Sequence, residues 1–379
     1  MINLSRTLQV QCIDVSATVA VEQDRPEFLA IVQLAKDCGG ELTSHQLQQE
    51  LLLPLPEQAC RLALIRCVAL NLLDENGASA KLTELGSEAL ERGTVLVPKQ
   101  GIWRFYLIDD PLIPYPVIHM ERIKTEESHK QVSKNKKGEK DSRTKVSTPP
   151  LLSRNIKTPV QRSLVDSKLR QIQDVSEKGH EHTLTTVQLE LTWPAESAPT
   201  IRLTGKLPQS DQQIDTAVNS DLTEWTYLKL WTELASKASG IPIAELSSLR
   251  ERRGVRVIPV FFENTTAESR QNFQMNFEVP EIRLHGLGEF LRSTLEHVDI
   301  CPATDRDAQN WCEWLQWHKI TDYVTPGILR QQAEDILPQF PLYQPKPLEP
   351  DAILKFALNN NNCSASRYVL APADLGLWS

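Results

Sequence analysis

No stretch of this chain approaches the ~20 consecutive apolar residues that a membrane-spanning helix requires, although hydrophobic residues make up 40% of the whole. The opening Met1-Ile2-Asn3-Leu4-Ser5-Arg6 runs into polar-interrupted sequence and lacks the apolar centre of a secretory leader. The expectation is a cytoplasmic protein that does not engage a membrane. Cysteine is also sparse. Its seven residues, at 12, 38, 60, 67, 301, 312 and 363, form no paired framework, and several fall in apolar helical patterns where cysteine acts as a small hydrophobe. This excludes a disulfide-stapled scaffold and fits a reducing compartment.

Net positive charge is lacking too. The chain carries −8 at pH 7, which excludes a surface that grips phosphates along its whole extent, because nucleic-acid affinity rests on Lys and Arg neutralising them. No Ser-His-Asp, Cys-His or paired-carboxylate arrangement stands out. Gly286-Leu287-Gly288 lacks the third glycine, the preceding strand and the following Lys-Ser or Lys-Thr of a phosphate loop, and reads as a turn. Asp109-Asp110-Pro111 is turn chemistry rather than a metal site. His297, Cys301, Cys312 and His318 offer zinc-type atoms without the tight pairing of zinc ligands. No catalytic residue, metal or cofactor is therefore assigned, and a non-enzymatic protein is expected. An enzyme would have its site near His285, Glu289 and His297.

What is present is long enough, at 379 residues, for two or three domains with their own cores. Residues 7–21 alternate Leu8, Val10 and Cys12 with Gln9 and Gln11, a strand or strand pair. Three amphipathic helices follow. The first starts near Asp24 and Pro26, carries Phe28, Ile31, Val32 and Ala35 on one face, and stops at Gly39-Gly40. The second starts at Thr43, with Gln46 completing a capping box and Leu47 and Leu51 facing inward. The third runs from Pro56-Glu57 to Asn76-Gly77, with Leu62, Ile65, Ala69 and Leu72 at helical spacing and Leu64 and Val68 beside them. Residues 101–108 read as a buried strand.

From 121 to 179 the aromatics vanish and Lys, Ser, Thr and Gln dominate. Such a segment has too little apolar surface to offset the entropy of ordering, so a disordered basic linker is expected, its charge concentrated in Lys130, Lys134, Lys136, Lys137, Lys140, Arg143 and Lys145. A second folded region opens with a hairpin, Leu184 to Trp193 returning through Ile201 and Leu203. A helix capped by Asp221 and carrying Trp225, Leu228, Trp231 and Leu234 follows, then a helix over residues 243–253 and a strand over 255–262 covered on both faces. A helix over 304–319, with Ala308, Trp311, Cys312 and Leu315 on one face, opens the last region, which closes on a strand at residues 368–371. The organisation predicted is α+β: an N-terminal strand and helical module (1–120), the linker (121–179), a mixed α/β domain (180–300) and a helical segment packed on it (301–379).

Leu82-Thr83-Glu84-Leu85-Gly86 resembles the Leu-Thr-x-x-Gly phrase of winged-helix domains, and the three helices before it match that family's order over residues 26–93. The resemblance implies a winged helix-turn-helix in which Leu82 is buried, Thr83 caps a helix and Gly86 permits close packing. It further implies a third helix that enters the major groove beside a basic wing. This chain departs from that pattern: Arg61 and Arg66 are five residues apart and point differently, and the candidate wing, residues 75–81, holds only Lys81. Docking on a protein is therefore favoured over reading DNA. A DNA-binding regulator using Arg61, Arg66, Lys81 and the linker lysines is the alternative.

Farther along, Arg283-Leu284-His285-Gly286-Leu287-Gly288-Glu289-Phe290, Pro302-Ala303-Thr304 with Asp307-Ala308 and Trp311, and Tyr368-x-Leu370-Ala371-Pro372-x-Asp374-Leu375 are similar to uncharacterised bacterial proteins of multi-gene defence or conflict systems. That resemblance implies an accessory protein with a partner in a multi-component assembly. Two further groups are candidate docking residues: Arg250, Arg252 and Arg253 at a helix end, and Trp317, the member of the Trp311, Trp314, Trp317 series left off the core-facing stripe.

Overall fold

The computed structural model describes residues 1–123, 144–150, 152, 161–182, 184–208, 210, 212–253, 256–360 and 362–378. Helices and strands are mixed throughout. The first strand, β1 (Ile2–Gln23), is 22 residues long and changes its buried face midway. Ile2, Leu4, Leu8, Val10 and Cys12 enter one core. Ile13, Val15, Ala17 and Val19 enter another on the opposite side of the sheet. Both faces are covered where the two sets meet.

A compact insertion follows, built from α1 (Pro26–Asp37), β2 (Glu41–Thr43), α2 (Ser44–Leu47), a π-helical turn (Gln48–Leu52), α3 (Glu57–Ala69), β3 (Leu73–Asn76), β4 (Ser79–Leu82) and α4 (Glu84–Arg92). The strands form an antiparallel sheet in the order β2-β4-β3. Local chemistry sets the ends: Pro26 opens α1, and the Thr43–Gln46 capping box forms both of its bonds. Thr83 Oγ1 accepts from the Gly86 N–H, and a Cβ at Gly86 would overlap the Leu72 carbonyl oxygen.

Two helical expectations need correction. α3 ends at Ala69, and Asn76-Gly77 forms the turn of the β3–β4 hairpin. The buried side of α3 is Cys60, Leu64 and Cys67, so Leu62, Ile65 and Ala69 face outward, as does Leu51. Two stripes of equal period run along this helix. The one whose small thiols permit close approach to the insertion's core is the one buried.

β5 (Val95–Leu107) returns antiparallel to β1, with Val95 opposite Gln23 and Leu107 opposite Gln11. It turns through Asp110, which accepts from the Leu112 N–H, into β6 (Val117–Arg122). Next come β7 (Thr144–Ser147), β8 (Gln161–Arg162) and β9 (Leu169–Glu181). β9 pairs with β1 from Ile13 to Val21, so the expected linker is structured over residues 161–181. Composition missed it because a strand of few apolar side chains is held here by the backbone bonds that the long edge of β1 supplies. Residues 124–143, with most of the linker lysines, lie outside the described residues.

β10 (Thr185–Trp193), β11 (Thr200–Lys206) and β12 (Gln213–Val218) form an antiparallel meander. β10 continues along the same edge of β1 as β9, pairing with Ile2 to Val10. One sheet, ordered β12-β11-β10-β1-β5-β6, therefore runs across the boundaries expected at 120 and 180.

The rest comprises α5 (Tyr227–Ser239), α6 (Ile243–Arg253), β13 (Val257–Val260), α7 (Ala267–Asn272), β14 (Gln274–Val279), β15 (Ile282–Leu284), β16 (Gly288–Phe290), β17 (Ser293–Pro302), α8 (Asp305–His318), α9 (Pro326–Ile336), α10 (Pro350–Asn359) and α11 (Ser364–Asp374). Thr226, not Asp221, caps α5. β13 lies parallel to β17, and β14 antiparallel to it. Leu230, Leu234, Ile258, Ile300 and Trp311 join the even-numbered residues of β1 in one core. The closing strand expected at 368–371 lies within α11, whose buried Ser366, Val369 and Pro372 recur every three residues. No helix among the described residues is long and apolar enough to cross a membrane.

Candidate functional site

On α3, Arg61, Leu62, Ile65 and Arg66 are all exposed. Leu62 is 63% and Ile65 52% accessible, a large apolar surface for one short helix. Ile65 and Arg61 also line a hollow of about 610 Å³ beside the β3–β4 hairpin, with Ser44, Glu57, Gln58 and Glu75. Lys81 is exposed, and its register partners are Glu41 on β2 and Asp74 on β3. Residues 26–93 hold ten acidic and five basic side chains, a net −5. The three cations predicted to act together thus sit in an acidic surround, with the two arginines on either side of an apolar strip.

The remaining predicted residues lie elsewhere. Arg250, Arg252 and Arg253 belong to the end of α6, and their side chains fall outside the described residues. Trp317 is half-buried and meets Phe356 of α10 edge-on at 4.7 Å, against a small core of Ile320, Val324, Leu329, Ile353, Ala357 and Val369. Trp311 is fully buried and stacks on Phe273. His285 and Glu289 are exposed on the β15–β16 hairpin, where Glu289 pairs with Arg283 at 3.5 Å. His297 is exposed in a left-handed kink of β17. No described hydrogen bond links these three. Among the described residues, His297, Cys301, Cys312 and His318 do not form a metal-ligand group.

A polar row that the sequence reading missed crosses one face of the large sheet. Cys12 and Asp14 alternate on β1, and Tyr106 and Arg104 stand opposite them on β5. Glu121 stands opposite Arg104 on β6. Arg104 donates from Nε to Asp14 Oδ1 at 2.8 Å and from a terminal nitrogen to Oδ2 at 3.0 Å. His182, between β9 and β10, donates from Nε2 to Asp14 Oδ2 at 2.7 Å, and its backbone N–H donates to the Cys12 carbonyl. Tyr106 donates to Glu121 at 2.6 Å.

The row is largely sealed, with the side chains of Arg104, Asp14 and His182 at 12%, 10% and 7% accessibility. Burial alone would raise the Asp14 carboxyl, but the hydrogen bonds from His182 and Arg104 hold it below the usual carboxylate range. Burial pushes the Cys12 thiol up to about 12, which excludes it as a nucleophile near neutral pH. The i, i+2 pairs Cys12-x-Asp14 and His180-x-His182 were the available signal. They stayed silent because the second falls at the edge of the presumed linker, and nothing local shows that the two strands pair.

Comparison of the chain with family models, curated proteins and solved structures finds no match.

Proposed function

We propose that this chain is a non-enzymatic adaptor in which a winged-helix module, residues 26–93, docks a protein partner within a larger assembly through the outward face of α3. The element order α1-β2-α2-α3-β3-β4 and the strand order β2-β4-β3 support the winged-helix reading. The observation that carries the docking reading is the exposure of Leu62 and Ile65 on the helix where a DNA reader would present polar and cationic groups to base edges. The net −5 of the module adds repulsion from phosphate. Apolar residues ringed by charge match the pattern of protein interfaces, where a few buried anchors supply most of the affinity.

The test is capture from a native extract at low and high salt, with nuclease, comparing the parent with Leu62→Ser/Ile65→Ser and Arg61→Ala/Arg66→Ala. The adaptor reading expects a nuclease-resistant protein that the Leu62/Ile65 variant loses and high salt does not release. If nucleic acid is captured instead, released by salt and lost with the Arg61/Arg66 variant, the DNA-binding regulator replaces the adaptor.

A further inference from the structure

β9 and β10 run along one edge of β1 and break at residues 182–184. At that break Cys12 Sγ, an Asp14 carboxylate oxygen and a His182 ring nitrogen all lie within 4.8 Å of one another. His180 stands directly opposite Asp14 in the register, hence on the same sheet face. Its Nδ1 is buried and has no hydrogen-bond partner, an arrangement that costs free energy unless something fills it. Two alternating pairs, Cys12/Asp14 and His180/His182, therefore share one face of adjacent strands, with Cys12, Asp14 and His182 already grouped and His180 the neighbour beside them.

We infer that these residues form a closed structural site for one divalent ion of the zinc class, with Cys12, Asp14 and His182 as ligands and His180 as the fourth. Sulfur, nitrogen and oxygen together are the donor set of zinc. Bonds of about 2.0–2.3 Å place tetrahedral ligand atoms roughly 3.3–3.8 Å apart, a spacing within the 4.8 Å that bounds the three atoms, and the 2.7 Å contact between His182 and Asp14 opens to reach it.

The ion enters where the His182 ring proton now sits. That proton moves to Nδ1, the Nε2 lone pair and one lone pair of Asp14 Oδ2 pass to the metal, and Cys12 binds as thiolate with its proton released to solvent. Arg104 keeps its two bonds to Asp14 and holds the ligating carboxylate in orientation. The charges then balance: the ion and Arg104 carry three positive charges, and Cys12, Asp14 and Glu121 three negative. The ion would clasp β1 to the break between β9 and β10.

The full chain, stripped with a chelator, is titrated with Co²⁺ and Zn²⁺. The expected result is one equivalent bound, a thiolate-to-cobalt charge-transfer band in the near ultraviolet, and a higher melting temperature with Zn²⁺. Cys12→Ser removes the band, and His182→Gln weakens binding at least ~10-fold. A variant lacking the exposed thiols, Cys38→Ser/Cys363→Ser, keeps both properties. The inference falls if the parent gains neither band nor thermal stability, if the band survives Cys12→Ser, or if it vanishes with Cys38 and Cys363. Should Cys12→Ser not fold, the parent's thermal shift and the His182→Gln titration decide alone.

Discussion

At the scale of the residue, Gly86 and His119 make opposite kinds of demand. Gly86 sits where α4 crosses the Leu72 carbonyl, so any side chain overlaps backbone that cannot swing aside. Gly86→Ala is expected to cost about 1–3 kcal/mol, toward the upper end because the obstacle is main chain. Thr83→Ala removes the cap together with the hydroxyl's bond to the Asn71 and Leu72 carbonyls, and should cost about 1–2 kcal/mol. Urea denaturation of the two variants ranks them, and a milder effect for Gly86→Ala would contradict the close packing. His119 is buried with its Nδ1 on Ser163 at 2.7 Å, and its Nε2 has no hydrogen-bond partner. Burial first, then the nearby Arg170 charge, lowers its pKa to about 4. The unfolded chain binds this proton near 6.5, so between pH 6.5 and 4 the unfolded state holds more protons and stability falls as pH falls. The contribution is complete above 6.5 and amounts to at most ~3 kcal/mol. His119→Gln should flatten the acid limb of the stability curve over that window and leave its slope above pH 7 unchanged.

At the scale of the element, several helix starts and the buried faces of α1 and α8 were legible, whereas the end of α3, the cap of α5 and the rotational phase of α3 were not. The residue 243–253 helix and the Thr304 cap of α8 appear where their sequences place them, because capping is local chemistry that needs no tertiary partner. Which side of α3 is buried depends on what α3 packs against. Leu62 and Ile65 are larger apolar side chains than Cys60 and Cys67, which flank Leu64 on the buried side, so assigning burial by apolar bulk inverted the helix. The same dependence on context hid α11, where a four-residue apolar run looks like a strand until the helical spacing around it is counted. The consequence is measurable. Leu62→Ser/Ile65→Ser should shift the unfolding free energy by no more than ~1 kcal/mol, since only weak helix propensity is lost, whereas Leu64→Ala should cost about 2–5 kcal/mol. Equal destabilisation by the two variants would return the outward stripe to the core and remove the basis of the proposed docking face.

At the scale of the whole molecule, β1 decides the architecture. It pairs with β5, β9 and β10, partners drawn from residues 95–107, 169–181 and 185–193, and contacts so distant in sequence leave no local trace. That is why the predicted boundaries cut through one sheet, and why the Cys12, Asp14 and His182 grouping escaped notice. The same topology makes the module separable. Gln23 and Val95 are register partners, so residues 24–94 hang from the open end of an antiparallel pair that a two-residue turn can close. Replacing 24–94 with Asn-Gly should leave a protein that unfolds cooperatively and still protects the β1 and β5 amides from exchange, at the cost of uncovering Val95 and Val97, which pack on the insertion's core. Removing residues 1–10 should do the reverse: β10 keeps β11 but loses its pairing with β1 and becomes an open edge, Val187, Leu189 and Leu191 lose Ile2, Leu4, Leu8 and Val10 from their shared core, and the chain should aggregate. Exchange measurements on the two truncations separate a module carried by a self-sufficient sheet from one on which the sheet depends. Under the adaptor proposal, the first arrangement would let a partner bind or leave without disturbing the rest of the fold.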